Sequence, residues 1–256
     1  GVAACWGKND VGQLGNGGTG ASSGIATAVT GGHTFLQISA GGRHTCAVDD
    51  AHELWCWGAN DFGQLGDSGV SGAYAKDPVA IWPGHGWRNV AAGDDFTCAM
   101  ANATGAISVY CWGRNDHQQL GPSHTADSLS MVPVTATALV GNSPIGVFAG
   151  GAFACAAVTF ADPGQGLQCW GANEHGQLGR GIVSVAEASS APPLAVAGLP
   201  DLELPILGRT HACATTREDS HFIRRLVCWG ENIEGRFGIG RTGGDEPTPL
   251  FLEAEY

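Results

Sequence analysis

Nine cysteines and nine histidines are the residues of this 256-residue chain best suited to redox, metal-ligand or acid–base chemistry. Eight of the cysteines obey a rule. Cys46, Cys98, Cys155 and Cys213 each stand five positions after a glycine (Gly41, Gly93, Gly150, Gly208) and just before an alanine. The next cysteine in each case, Cys56, Cys111, Cys169 or Cys228, opens a Cys-Trp-Gly. Separations within the pairs are 10, 13, 14 and 15 residues. From each Cys-Trp-Gly cysteine to the next first cysteine they are 41, 42, 44 and 44. An antiparallel hairpin explains a nearly fixed outer interval with a variable inner one. Facing cysteines keep their register while the loop between them changes length, and facing Cα atoms lie about 4.5–5.5 Å apart, within disulfide range. The spacing therefore predicts Cys46–Cys56, Cys98–Cys111, Cys155–Cys169 and Cys213–Cys228. Buried thiols are the bland alternative, but they would not be expected to recur in four regular pairs. A zinc site needs clustered ligands, usually with short Cys-x₂₋₄-Cys spacings, and none is present. Four bridges imply an oxidising compartment.

Cys5 is left over. By the same rule its partner belongs 10 to 15 residues upstream, and the next first cysteine after Cys228 belongs near ~270. The chain reads as a piece of a longer protein, with Cys5 as a free thiol or an intermolecular bridge as the alternatives.

The histidines offer less. His44 and His211 stand two positions before a first cysteine, where Phe96 and Phe153 replace them in other repeats, and an exchange with phenylalanine points to packing. His117 and His175 follow a Cys-Trp-Gly and are candidate metal ligands, though two imidazoles without more ligands make a weak site. His33, His52, His85, His124 and His221 read as solvated. Asp49-Asp50 and Asp94-Asp95 are too short for a calcium loop. There is no Gly-x-Ser-x-Gly elbow, phosphate loop or metalloprotease signature, so no catalytic, metal or cofactor site is expected.

These residues must be positioned by a repeat. Cys-Trp-Gly-x-Asn occurs at Cys5, Cys56, Cys111, Cys169 and Cys228. A near-copy of Gly-Gln-Leu-Gly follows each, at Gly12–Gly15, Gly63–Gly66, Gln118–Gly121, Gly176–Gly179 and, as Gly-Arg-Phe-Gly, Gly235–Gly238. A partial unit over 1–15, four complete units near 35–66, 89–121, 146–179 and 204–238 with connectors, and a trailing partial unit over 239–256 make one all-β domain or a fragment of one. Strands are expected at His44–Val48, Leu54–Trp57, Thr97–Met100, Ile107–Trp112 and, in a connector, Leu129–Val134. Three or four short strands per unit suggest a radial propeller, with a parallel solenoid as runner-up. In this frame the tryptophan packs between sheets, the glycine allows a tight turn, and the asparagine bonds local backbone.

Composition agrees. Hydrophobic residues make up 43% and charged residues 14%, with 41 glycines, which suits a tightly turned β protein. A formal charge of −12 opposes a polyanion, so no nucleic acid partner is expected. No run of about 18 apolar residues is present to make a membrane span. Gly1 to Ala4 has neither a basic region nor an apolar core, so any secretory signal is expected to have been removed ahead of it.

Ala40-Gly41-Gly42-Arg43-His44 and Trp57-Gly58-Ala59-Asn60-Asp61-Phe62-Gly63-Gln64-Leu65-Gly66 resemble the regulator of chromosome condensation repeat. The likeness runs from end to end and implies a β-propeller, commonly of seven blades, of which this chain would form part; a five-bladed ring is the alternative. The nuclear member of that family exchanges guanine nucleotide on a small GTPase and carries a basic tail, which this chain lacks. The chain is also similar to the secreted propeller-type β-lactamase inhibitors, which present loops to a partner.

The functional expectation is an extracellular, disulfide-stabilised propeller that binds or scaffolds proteins without catalysis and without a cofactor. A soluble inhibitor of an extracellular enzyme is the alternative, and a nucleotide exchange factor is less favoured. Two surfaces are candidates for partner contact. One is the long hairpin loop with Arg217, Phe222, Arg224 and Arg225, since arginine beside an aromatic is a frequent interface pairing. The other is the aromatic connector with Tyr74, Trp82 and Trp87, with Trp82 and Trp87 capping the core as the alternative. Asn102-Ala103-Thr104 is a candidate N-glycosylation sequon.

Overall fold

The computed structural model describes residues 1–66, 69, 72–102, 105–134, 139, 143–159, 165–184, 194–196, 202–218 and 223–252. All regular structure among them is β. The chain forms two compact units, described in turn.

The first unit comprises residues 1–116 and 124–134. It begins with a two-stranded sheet, β1 (Ala4–Asn9) and β2 (Gly20–Ala28). Two four-stranded antiparallel meanders follow: β3 (Phe35–Ala40), β4 (His44–Asp49), β5 (Leu54–Ala59) and β6 (Tyr74–Ile81), then β7 (Trp87–Ala92), β8 (Phe96–Ala101), β9 (Ser108–Gly113) and β10 (Ser128–Pro133). The second unit, residues 117–123 and 135–256, holds two more. They are β11 (Ser143–Ala149), β12 (Phe153–Thr159), β13 (Gln165–Gly171) and β14 (Leu194–Ala195), then β15 (Leu202–Leu207), β16 (His211–Glu218), β17 (Ile223–Glu231) and β18 (Asp245–Leu252). In each four-stranded sheet the fourth strand comes from the connector.

The predicted hairpins are the two middle strands of each sheet. Cys46 faces Cys56, Cys98 faces Cys111, Cys155 faces Cys169 and Cys213 faces Cys228. Each pair is bridged, with Cα atoms 4.1 Å apart, the close spacing of a non-hydrogen-bonded antiparallel pair. β4 and β8 are buried at every position.

The Cys-Trp-Gly triplet also bends its sheet. The register of β5 on β6 slips between Cys56 and Gly58, and that of β17 on β18 between Cys228 and Gly230. Such slips are β-bulges, which increase local twist. Gly113 has φ +106°, and a Cβ there would lie 2.7 Å from both the Asp95 oxygen and the Phe96 Cα. Only glycine meets both conditions. Trp57, Trp112, Trp170 and Trp229 are fully buried.

Candidate functional site

The repeated polar residues are consumed by the fold. The indole N–H of Trp57 donates to the Gln13 carbonyl at 3.0 Å, and that of Trp112 to Gln64 at 3.0 Å. In the second unit Trp170 donates to Gln119 and Trp229 to Gln177, both at 2.9 Å. Each tryptophan thus reaches the Gly-Gln-Leu-Gly turn of the repeat before it. The glutamine side chain bonds its own turn: Gln64 Oε1 accepts from the Phe62 amide at 2.9 Å, and Gln177 Oε1 from the His175 amide at 2.8 Å. The motif asparagine fixes the same turn. Asn60 and Asn173 accept from the amides of Leu65 and Leu178 at 3.1 Å. Buried amides and carbonyls need such partners.

The histidines divide as packing and rim groups. Thr97 donates to the Gln64 carbonyl at 2.7 Å, so its oxygen accepts from His44 Nε2 at 2.8 Å. The other nitrogen, Nδ1, is buried with no partner among the described residues. Burial holds the imidazole neutral and pushes its pKa down to about 4. His211 occupies the same position beside Phe237, and burial, then the Arg236 charge, lowers its pKa. Neither is poised for acid–base work near neutral pH.

His117 and His175 each meet a carboxylate. His117 Nδ1 lies 2.9 Å from Glu174, and His175 Nδ1 lies 3.1 Å from Asp245. Among the described residues no three His, Cys, Asp or Glu side chains are placed to hold a metal ion. Three histidines expected in solvent have structural partners. His33 stacks on Trp55 at 3.8 Å, His85 stacks on Trp87, and His52 Nδ1 lies 3.1 Å from the Trp87 carbonyl oxygen.

The expected contact surfaces fare unevenly. Trp87 is fully buried and packs with Trp82, Tyr110 and Trp112. It is core, because the preceding hairpin strands β3 and β4 pack on β7, and it cannot meet a partner. Trp82 is partly buried against the same cluster, while Tyr74 is exposed. Arg217 and Arg224 face each other in register on β16 and β17. Phe222 lies outside the described residues, and Arg225 stands 5.9 Å from the Phe251 ring. Asn102 directly follows β8, its amide donating to the Gly86 carbonyl at 3.3 Å; Ala103 and Thr104 of the sequon lie outside the described residues. Cys5 is unbridged and half-buried, and burial raises its thiol pKa.

Sequence reasoning missed a charged rim on the first unit. Arg43, in the β3–β4 turn, stands 3.9 Å from Asp10 and 3.3 Å from Asp61. Arg114, just after β9, reaches Asp95 at 3.2 Å and Asp116 at 2.6 Å, and its guanidinium lies 4.8 Å over the Phe62 ring. Asp10 is held at about 2 by the Gln13 amide hydrogen bond and by Lys8. The rim carries an exposed arginine on an aromatic ring, flanked by carboxylates. No single window of sequence holds these groups; only the register of the repeats brings them side by side.

Comparison with known proteins identifies the repeat. Residues 5–48, 52–100 and 108–157 match the family model described as the regulator of chromosome condensation (RCC1) repeat, more than half of the chain. A second model of that description matches 35–64 and 87–119. The chain is 32% identical over 219 residues to the human E3 ubiquitin-protein ligase HERC2, covering 84% of this chain and 4% of HERC2. It is 34% identical over 182 residues to the ultraviolet-B receptor UVR8 of Arabidopsis thaliana, covering 70% of this chain and 39% of the receptor. Among solved structures, yeast RCC1 (Prp20) bound to Kap60 superposes with a TM-score of 0.79 at 22% identity, over 98% of this chain and 58% of that one. That likeness shows the fold, a β-propeller of this type. No helix among the described residues is long and apolar enough to cross a membrane.

Proposed function

The chain belongs to the regulator of chromosome condensation repeat family, and on that premise we propose that it is an extracellular, disulfide-braced propeller module that binds protein partners through its rim and performs no catalysis of its own. The observation that carries the reading is the division of labour between repeated and variable residues. Tryptophan and asparagine recur in each repeat, glutamine in all but the last and paired cysteines in four, and they are used up in packing and turn bonds. What varies from repeat to repeat stands at the rim, where the half-buried Phe62 and Arg114 pair with Asp95 and Asp116 beside them. Arginine and aromatic side chains dominate binding energy at protein interfaces. The oxidising compartment is supported by the four bridges, which cytosolic thiol chemistry would not sustain.

The relatives bear on this only through the fold. Ligase activity is in the name of a protein of which this chain matches 4%. The test is recovery of a partner from the extracellular fluid of the native source on immobilised chain, alongside a Phe62→Ala/Arg114→Glu variant that melts at the same temperature. The expected outcome is a stoichiometric protein held by the natural chain and lost at least ~10-fold by the variant, a change of about 1.4 kcal/mol. Equal retention by both, or no stoichiometric partner at all, would sink the proposal.

A further inference from the structure

A repeated irregularity re-aims one residue of the fourth strand. On β6, Ala75 and Val79 face Gly58 and Cys56; on β10, Ser128 and Val132 face Gly113 and Cys111; on β18, Glu246 and Leu250 face Gly230 and Cys228. Between those pairs the fourth strand advances by four residues while its neighbour advances by two. The surplus is a bulge, which turns side chains away from their regular direction. The residue that opens it, Lys76, Leu129 or Pro247, lies against the glycine-rich turn of another repeat. A Cβ at Gly12 would stand 2.6 Å from the Lys76 Cα, one at Gly63 2.4 Å from the Leu129 Cδ2, and one at Gly176 2.5 Å from the Pro247 Cα.

The backbone of this seat is constant and its side chains vary. The residue just ahead of the glycine is Val11, Phe62 or His175. At Gly63 the two variable positions are a phenylalanine and a leucine, and the Arg114 guanidinium lies 4.8 Å over the Phe62 ring. The Ser128 hydroxyl holds the bulge there, donating to the Ser130 carbonyl at 2.9 Å and accepting from the Ser130 amide at 3.3 Å. Leu129 is left 61% exposed. Carboxylates surround it. Asp61 precedes Phe62, Asp127 accepts from the Asn115 amide at 2.8 Å, and Asp95 and Asp116 share Arg114. Arg43 is already divided between Asp61 and Asp10. The patch is therefore apolar at its centre and net acidic around it, on a chain of formal charge −12.

We propose that Leu129, Phe62 and the Arg114 face receive a basic protein segment, one that sets an apolar side chain on Leu129 and a lysine or arginine among Asp61, Asp95 and Asp116. This rests on the rim being the binding face, and it names the partner's chemistry. An apolar anchor ringed by polar groups that exclude water is the make-up of a binding hot spot. The surplus carboxylates select the sign of the partner, since they steer a cationic segment inward and repel an acidic one.

The probe is a displayed library of random short peptides, selected on the immobilised chain in parallel with a Leu129→Ser variant. Leu129 is exposed, so that variant should melt with the natural chain. The expected peptides place lysine or arginine beside leucine, phenylalanine or tryptophan. They should bind the natural chain at least ~10-fold more tightly than either Leu129→Ser or Asp61→Asn/Asp116→Asn. Added salt should weaken them, and bound peptide should slow amide exchange over residues 61–66 and 128–130. Selected peptides of acidic or uncharged sequence, binding that both variants leave unchanged, or no enrichment beyond the Leu129→Ser selection would overturn the inference. The rim reading fails separately. A native partner held through Phe62 and Arg114 but acidic where it docks would overturn this inference and leave that reading standing. Basic peptides seated on Leu129, with no partner in the extracellular fluid, would do the reverse.

Discussion

The indole N–H of Trp112 donates to the carbonyl oxygen of Gln64 at 3.0 Å, across 48 residues and from one repeat into the turn of the repeat before it. The same oxygen accepts the Thr97 hydroxyl at 2.7 Å. Trp57 with Gln13, Trp170 with Gln119 and Trp229 with Gln177 repeat the bond, so it sets how one sheet's core joins the turn of the repeat before it. Trp112→Phe keeps most of the buried ring but loses the bond and part of the volume; it should lower unfolding stability by about 1–2 kcal/mol. Trp112→Ala should cost about 3–5 kcal/mol. Urea titration with the bridges intact measures both, and a phenylalanine variant as weak as the alanine one would deny the bond its role.

His44 gives a pH signature. Its folded pKa, about 4, lies below the ordinary 6.5, so the unfolded chain binds more protons between those values and stability falls as pH drops through that window. On the scale of 1.36 kcal/mol for each pKa unit, the loss from pH 7 to pH 4 is about 3 kcal/mol. His44→Phe, the residue that two other repeats carry as Phe96 and Phe153, should flatten that part of the pH profile while leaving stability at pH 7 within ~1 kcal/mol. Parallel pH profiles for the two proteins would show that His44 does not carry the effect.

The second bridge closes a 13-residue separation. Cys98→Ala/Cys111→Ala should lower stability by about 2–4 kcal/mol, measured by denaturant midpoint without reductant. Cys5→Ala, which removes no bridge, should change it by less than ~0.5 kcal/mol. A similar loss from both variants would mean that packing, not the cross-link, sets the cost.

Gly113→Ala places a Cβ 2.7 Å from the Asp95 oxygen at φ +106°. Strain and displacement of the β7–β8 turn should together cost more than ~2 kcal/mol. Gly105, on the β8–β9 connection, has φ +84° but open space around it, and Gly105→Ala should cost only about 1 kcal/mol. Thermal melts of the two variants check the ranking.

The bridges and hairpins were legible because a cysteine pair fixes register whatever the loop does; Cys98 and Cys111 face each other on β8 and β9 as their spacing predicts. The connector strand over Leu129–Val134 was legible too, and β10 covers Ser128–Pro133. Legibility stopped where a residue's role depends on another repeat. Trp87 stayed open between partner contact and core because β3 and β4, which pack on its strand, lie 38 or more residues earlier. His117 and His175 read from sequence as a weak pair of imidazoles, and the carboxylate that each meets, Glu174 or Asp245, is supplied by the following repeat. The Arg114–Phe62 stack, 52 residues apart, has no local signal at all. The role of asparagine could be read from the motif because Asn60 and Leu65 lie in one turn.

The measurement that bears most directly on the extracellular reading is the thiol state of the protein isolated from its native source without reductant. Alkylation before and after reduction, followed by intact mass and a peptide map, should give Cys46–Cys56, Cys98–Cys111, Cys155–Cys169 and Cys213–Cys228 as closed bridges, and eight further alkylated thiols on reduction. Eight free cysteines at those positions before any reduction would contradict it, because the hairpins would then be packed thiols and the chain a resident of a reducing compartment.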